Sequence, residues 1–93
     1  MKYKIYHAIE HDFFGENIPP EFPEGYEHVA TVDCDSLEEA FRLTNHIVDD
    51  WRLNLGVELT DPNKPLRSTS VGDVVVTEVG RRWFCKFVGW AYF

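Results

Sequence analysis

Ser36-Leu37-Glu38-Glu39-Ala40-Phe41-Arg42-Leu43-Thr44-Asn45-His46-Ile47-Val48-Asp49-Asp50-Trp51 is the stretch on which the fold turns. Leu37, Ala40, Phe41, Thr44, Ile47, Val48 and Trp51 recur at steps of three and four, which lays them along one stripe of a helix. Ser36 with Glu39 reads as a capping box, the serine oxygen accepting from a free backbone N–H and the glutamate reaching back to the cap. The opposite face carries Glu38, Arg42, Asn45, His46, Asp49 and Asp50, with Glu38 and Arg42 in the favourable i,i+4 order. The helix is expected to fade near Asn54-Leu55-Gly56, where glycine can take the left-handed cap conformation.

On either side of this helix the pattern changes to strand. Lys2 to Ile9 alternates weakly and is rich in Tyr and Ile, and Tyr26 to Asp33 is a second strand candidate. Between them, Gly15, Pro19-Pro20, Pro23 and Gly25 break any ladder, so residues 10–25 read as an ordered loop anchored by Phe13, Phe14, Ile18 and Phe22. Residues 57–66 contain Asp61-Pro62-Asn63-Lys64-Pro65 and read as a turn-rich connection. Val71 to Val79 is β-branched, Gly80-Arg81 marks a tight turn, and Arg82 to Trp90 is an aromatic strand. The expected fold is one α+β domain over 1–93. It has a small antiparallel sheet of about four strands in the order β-β-α-β-β, with one amphipathic helix packed on one face.

Charge restricts the partners. The net charge is −7, and Glu10, Asp12, Glu16, Glu21, Glu24, Glu27, Asp33, Asp35, Glu38 and Glu39 follow one another without an intervening Lys or Arg. Phosphate backbones are bound by clustered Lys and Arg, so no direct duplex DNA binding is expected and a partner with a basic surface is favoured. The two cysteines, Cys34 and Cys85, show no metal-like spacing and the N-terminal residues no leader, which points to reduced thiols in a cytoplasmic protein without membrane association.

Arg67-Ser68-Thr69-Ser70-Val71-Gly72-Asp73-Val74-Val75-Val76, followed by Trp83-Phe84-Cys85-Lys86-Phe87-Val88-Gly89-Trp90, resembles the signature end of the YodL-like family. The matching positions are Ser68, Ser70, Asp73, Gly89 and Trp90, and Lys86 stands where that family often has an acidic residue. The resemblance implies a small protein of phages, plasmids or mobile elements with no established activity. Read physically, Ser68, Thr69, Ser70 and Asp73 hydrogen-bond neighbouring backbone and start a strand, while Gly72 permits a bulge or a positive φ. The same hydroxyls beside Arg67 would alternatively form a nucleotide or anion site.

The remaining chemistry-bearing residues favour structure. His7 and His11 with Glu10 and Asp12 have a metal-like spacing only on a helix, and this segment reads as strand and loop, so no metal and no cofactor are expected. His28 and His46 read as surface or half-buried residues. Cys34 lies between two carboxylates that disfavour its thiolate, and Cys85 alternates with Trp83 and Phe87 as a packed small residue. Asp33, Asp35, Glu38 and Glu39 crowd the positive end of the helix. The function expected is a non-enzymatic interaction protein of a phage or mobile element. It would bind a host protein, in particular one of nucleic-acid binding or defence, through Glu16, Glu21, Glu24, Glu27, Asp33, Asp35 and Glu38. The alternative is a small-ligand module using Arg67, Ser68, Ser70 and Asp73. The sequence sets no oligomeric state.

Overall fold

Residues 1–9, 22–45, 50–86 and 89–92 are described by a computed structural model. In β1 (Lys2–Ala8), Lys2 and Lys4 are exposed while Tyr3, Ile5 and His7 are buried, the two-residue period of a strand with unlike faces. It pairs antiparallel with β2 (Tyr26–Asp33), and between Ile5 and Tyr6 the register shifts so that Ile5 opposes Ala30 and Tyr6 opposes His28. Val29 is therefore the extra residue of a bulge, which lets both Val29 and Ala30 be buried.

Beyond β2 come α1 (Leu37–Leu43), a 3-10 turn (Trp51–Leu53), β3 (Val57–Leu59), β4 (Val74–Val76), β5 (Arg82–Cys85) and β6 (Trp90–Tyr92). They complete one six-stranded sheet in the order β3-β2-β1-β4-β5-β6, with every neighbouring pair antiparallel. On one face Ala40 of α1 and Trp51 of the 3-10 turn close over Tyr3, Ile5, Val29, Ala30, Val32 and Val75. A second, smaller apolar cluster joins Ala8, Tyr26, Val74 and Phe84, with Tyr6 and Phe22 packed at its margin.

The antiparallel sheet and single helix expected from the sequence are present, but six strands replace about four. Val57–Leu59 lies in the stretch read as connection and pairs with β2 at the sheet edge. The aromatic run after Arg82 is two strands, because the chain reverses between Lys86 and Gly89, where the Lys86 amide donates to the Gly89 carbonyl at 3.0 Å and Gly89 adopts φ +76°.

The helix also ends earlier than its apolar stripe suggests. The Thr44 hydroxyl donates to the Ala40 carbonyl at 2.8 Å, the Asn45 amide side chain donates to the Phe41 carbonyl, and the Asn54 side chain donates to the Leu43 carbonyl at 2.8 Å. Those acceptors are satisfied locally, and the Thr44 carbonyl turns to accept from the Thr69 amide at 2.8 Å. Trp51 consequently reaches the core from a 3-10 turn rather than from α1. At the other end, Ser36 accepts from the Glu39 amide at 3.1 Å, as the capping pattern requires. The Glu39 carboxylate pairs instead with Arg42, which takes the place of the expected Glu38–Arg42 pair. Glu16, Glu21, Phe13, Phe14, Ile18, His11, His46, Ile47, Val48 and Phe87 lie outside the described residues.

Candidate functional site

Ionisable groups converge most closely where the 67–73 segment meets the end of β1. Gly72 at φ +98° and the Asp73 amide, bonded to the Ser70 carbonyl at 3.1 Å, turn the chain into β4 and point the Asp73 side chain inward. Asp73 is fully buried. Its Oδ1 accepts from the Ala8 amide and from Arg67 Nη2, both at 2.8 Å, and its Oδ2 from Arg67 Nη1 at 2.6 Å and the Ser70 amide at 2.8 Å. A two-pronged guanidinium and two amides therefore satisfy both oxygens, the condition under which a buried carboxylate is tolerated. Arg67 also donates to the carbonyls of Ala8 at 3.2 Å and Ser68 at 3.0 Å and to the Ser70 hydroxyl at 3.3 Å. Its own carbonyl accepts from the Trp51 indole at 2.9 Å.

The structure thus brings together Arg67, Ser68, Ser70 and Asp73, the four positions singled out for anion binding. The anion the guanidinium meets is the protein's own carboxylate. An incoming phosphate would have to compete with a fully buried carboxylate already held at hydrogen-bonding distance from the guanidinium.

His7 and Thr69 extend the cluster. His7 Nε2 lies 2.9 Å from the Thr69 hydroxyl and 3.9 Å from Asp73 Oδ2, and both side chains are buried. In a hydroxyl–imidazole–carboxylate catalytic triad the carboxylate holds the opposite ring nitrogen from the hydroxyl, so that the imidazole can take the proton. Here hydroxyl and carboxylate address the same nitrogen, and this threesome is not wired as a triad. Around it, burial and the charge of Asp73 push the Tyr26 phenol up to about 12 and the Cys85 thiol up to about 11. Both groups stay protonated at neutral pH, which leaves them unsuited to act as nucleophiles. The Tyr26 hydroxyl is buried with no hydrogen-bond partner among the described residues. Cys34, half-buried, has its thiol raised mainly by burial, and both cysteines are free. His28 is half-buried and stacked on Tyr6, with its pKa lowered mainly by burial.

Among the described residues, the members of the acidic run fall into two groups at opposite ends of β2, a strand roughly 25 Å long at ~3.3 Å per residue. At one end Glu24 is exposed and Glu27 pairs with Lys64. At the other, Asp33, Asp35 and Glu38 are exposed around the start of α1, and Glu58 and Glu78 reach the same end of the sheet. The Tyr3 phenol lies within reach of this group: its pKa is raised first by burial, then by Cys34, and then by the fields of Asp35, Glu38 and Glu78. Asp33 accepts from the Met1 amino group at 3.2 Å. Asp35, Glu38, Glu58 and Glu78 make no ion pair among the described residues.

Sequence reasoning weighed His7 only as a metal ligand with His11, not as a neighbour of Thr69 and Asp73, and did not single out Tyr26, Glu58 or Glu78. For Glu58 a signal existed, the apolar–acidic–apolar alternation of Val57-Glu58-Leu59. No family model, curated protein or solved structure matches the chain.

Proposed function

We propose that this chain is a non-enzymatic interaction protein that docks on the basic surface of a host protein through the end of the molecule bearing Asp33, Asp35 and Glu38. The observation that carries this reading is the group of exposed carboxylates there: Asp35, Glu38 and Glu58 are not neutralised by an ion-pair partner among the described residues. Carboxylates fixed on a rigid sheet and helix start can imitate a row of phosphates and steer a basic partner into contact. That property suits a phage or mobile-element protein occupying a nucleic-acid site on a host regulator or defence protein, in keeping with the YodL-like resemblance.

The cluster around Asp73 supports the non-enzymatic part. Its carboxylate, imidazole and hydroxyl are buried, the imidazole bonded to the hydroxyl and the carboxylate to the Ala8 amide, in a pattern that fastens loop to strand. The test is affinity capture from the native host, followed by washing of the recovered complex with rising salt. A docked acidic surface releases its partner progressively as screening shortens the range of attraction. A partner retained unchanged through high salt would contradict the reading.

A further inference from the structure

The acidic end borders one margin of the sheet, and the backbone there is open. The Asp33 amide donates to the Gly56 carbonyl at 2.8 Å and the Thr60 amide to the Val29 carbonyl at 3.1 Å. Between these two bonds, antiparallel alternation makes Thr31–Glu58 the intervening hydrogen-bonded pair, so the amide and carbonyl of Glu58 face β2. Those of Val57 and Leu59 face away from it. The Val57 amide closes a turn on the Asn54 carbonyl at 3.3 Å, which leaves the Leu59 amide and the carbonyls of Val57 and Leu59 pointing off the sheet. No described strand lies beyond β3.

Three features say what this edge accepts. Glu58 is exposed on the same face as Thr31 and Asp33, and with Lys2, Val57 and Gly56 these residues line a shallow groove of about 270 Å³ in which two carboxylates face one ammonium. Leu53 and Leu55, on the turn that leads into β3, are 79% and 94% exposed, a pair of bare apolar side chains beside a strand with no described neighbour on its outer edge. Finally, a second copy of the chain is a poor occupant: two-fold antiparallel pairing centred on β3 would set Glu58 against its counterpart, between molecules that each carry −7.

We propose that β3 is a docking edge to which a partner protein adds an extended segment of alternating basic and apolar residues. A basic side chain would lie beside Glu58 in the groove, and apolar neighbours would lie over Leu55 and Leu53. This inference rests on the acidic-end reading and specifies the shape of the partner: main-chain hydrogen bonds to Leu59 supply the register, and alternate side chains supply the selectivity.

The test is amide hydrogen exchange of the full chain with a synthetic peptide of about ten residues alternating lysine and valine, against a control alternating glutamate and valine. The lysine peptide slows exchange of the Leu59 amide at least about tenfold, leaves the Trp90 and Tyr92 amides of the opposite edge unchanged, and the control does neither. Glu58→Lys weakens the protection. Leu59→Pro removes binding while the sheet persists, because proline is tolerated where an edge N–H faces outward. Lysine-peptide binding that leaves the Leu59 amide exchanging freely and survives Leu59→Pro, yet is lost in Asp35→Lys with Glu38→Lys, overturns strand addition and leaves the acidic-end reading standing. Failure of the lysine peptide to bind the wild-type chain also overturns strand addition, and capture of a salt-sensitive host partner then decides the acidic-end reading separately.

Discussion

The Asp73 carboxylate accepts the backbone amide of Ala8 at 2.8 Å, across 65 positions of sequence. Ala8 ends β1 and Asp73 immediately precedes β4, so this bond fastens two neighbouring strands at one end of their pairing. The residues around it behave as the parts of a clasp. Arg67 neutralises the carboxylate, Ser70 adds an amide, and Trp51 holds the carbonyl of Arg67 from the core.

Removing the arginine leaves a buried carboxylate with only backbone donors. Arg67→Ala should lower stability by about 3 kcal/mol, the scale for stranding one member of a buried pair. Arg42→Ala, which loses only an exposed, solvent-screened pair with Glu39, should change it far less. Urea denaturation of the two variants measures the contrast. Equal, small effects would mean that Arg67 is an ordinary surface charge.

Trp51 and Phe41 belong to the same apolar stripe in the sequence, but they carry unequal weight in the fold. Trp51 is fully buried and donates from its indole, whereas Phe41 is half-buried and meets Trp90 edge-on at a centroid distance of 6.1 Å. Trp51→Ala should therefore cost about 3–5 kcal/mol and Phe41→Ala about 1–2, with Ser36→Ala near 1 from loss of the cap. Chemical denaturation midpoints decide it, and a larger effect at Phe41 than at Trp51 would show the packing to be misassigned.

What the sequence discloses divides along the range of the interactions. Ser36 and the apolar steps after it announce the start of α1, because cap and stripe are local. The end of α1 is invisible, because Thr44 gives its carbonyl to Thr69, a partner 25 residues away that no periodicity predicts. The hairpin of β4 and β5 is legible from its β-branched and aromatic runs around Gly80, whereas β3 is only three residues long and exists because β2 pairs with it. The polar cluster Ser68 to Asp73 is legible as a strand start through the local Ser70–Asp73 bond. Its bond to Ala8 and its neighbour His7 are contacts set by the tertiary fold. The acidic run is plain in composition. That β2 sets Glu24 and Glu27 at one end and Asp33, Asp35 and Glu38 at the other could be read only from the fold.

Burial sets the response to alkali. Cys85 rises from 9.0 to about 11 and Tyr26 from 10.0 to about 12, both chiefly through desolvation, so each binds its proton more tightly folded than unfolded. Their contribution to stability is complete below pH 9 and is lost as pH climbs through the interval between each unfolded and folded value. The denaturation midpoint should hold from pH 7 to about 8.5 and then fall toward pH 11, with a shallower fall in Cys85→Val. A midpoint that rises over that interval would reverse the sign of the argument.

The account stands most directly on which end of β2 meets the partner. Capture from the native host should be compared for the wild-type chain, Asp35→Lys with Glu38→Lys, and Glu24→Lys with Glu27→Lys, with the thermal midpoint of each recorded. Reversal at Asp35 and Glu38 should abolish capture, and the midpoint should move by no more than a few degrees, because exposed charges contribute little to folding. Reversal at Glu24 and Glu27 should leave capture intact. Wild-type capture by the Asp35 and Glu38 variant would contradict the central claim.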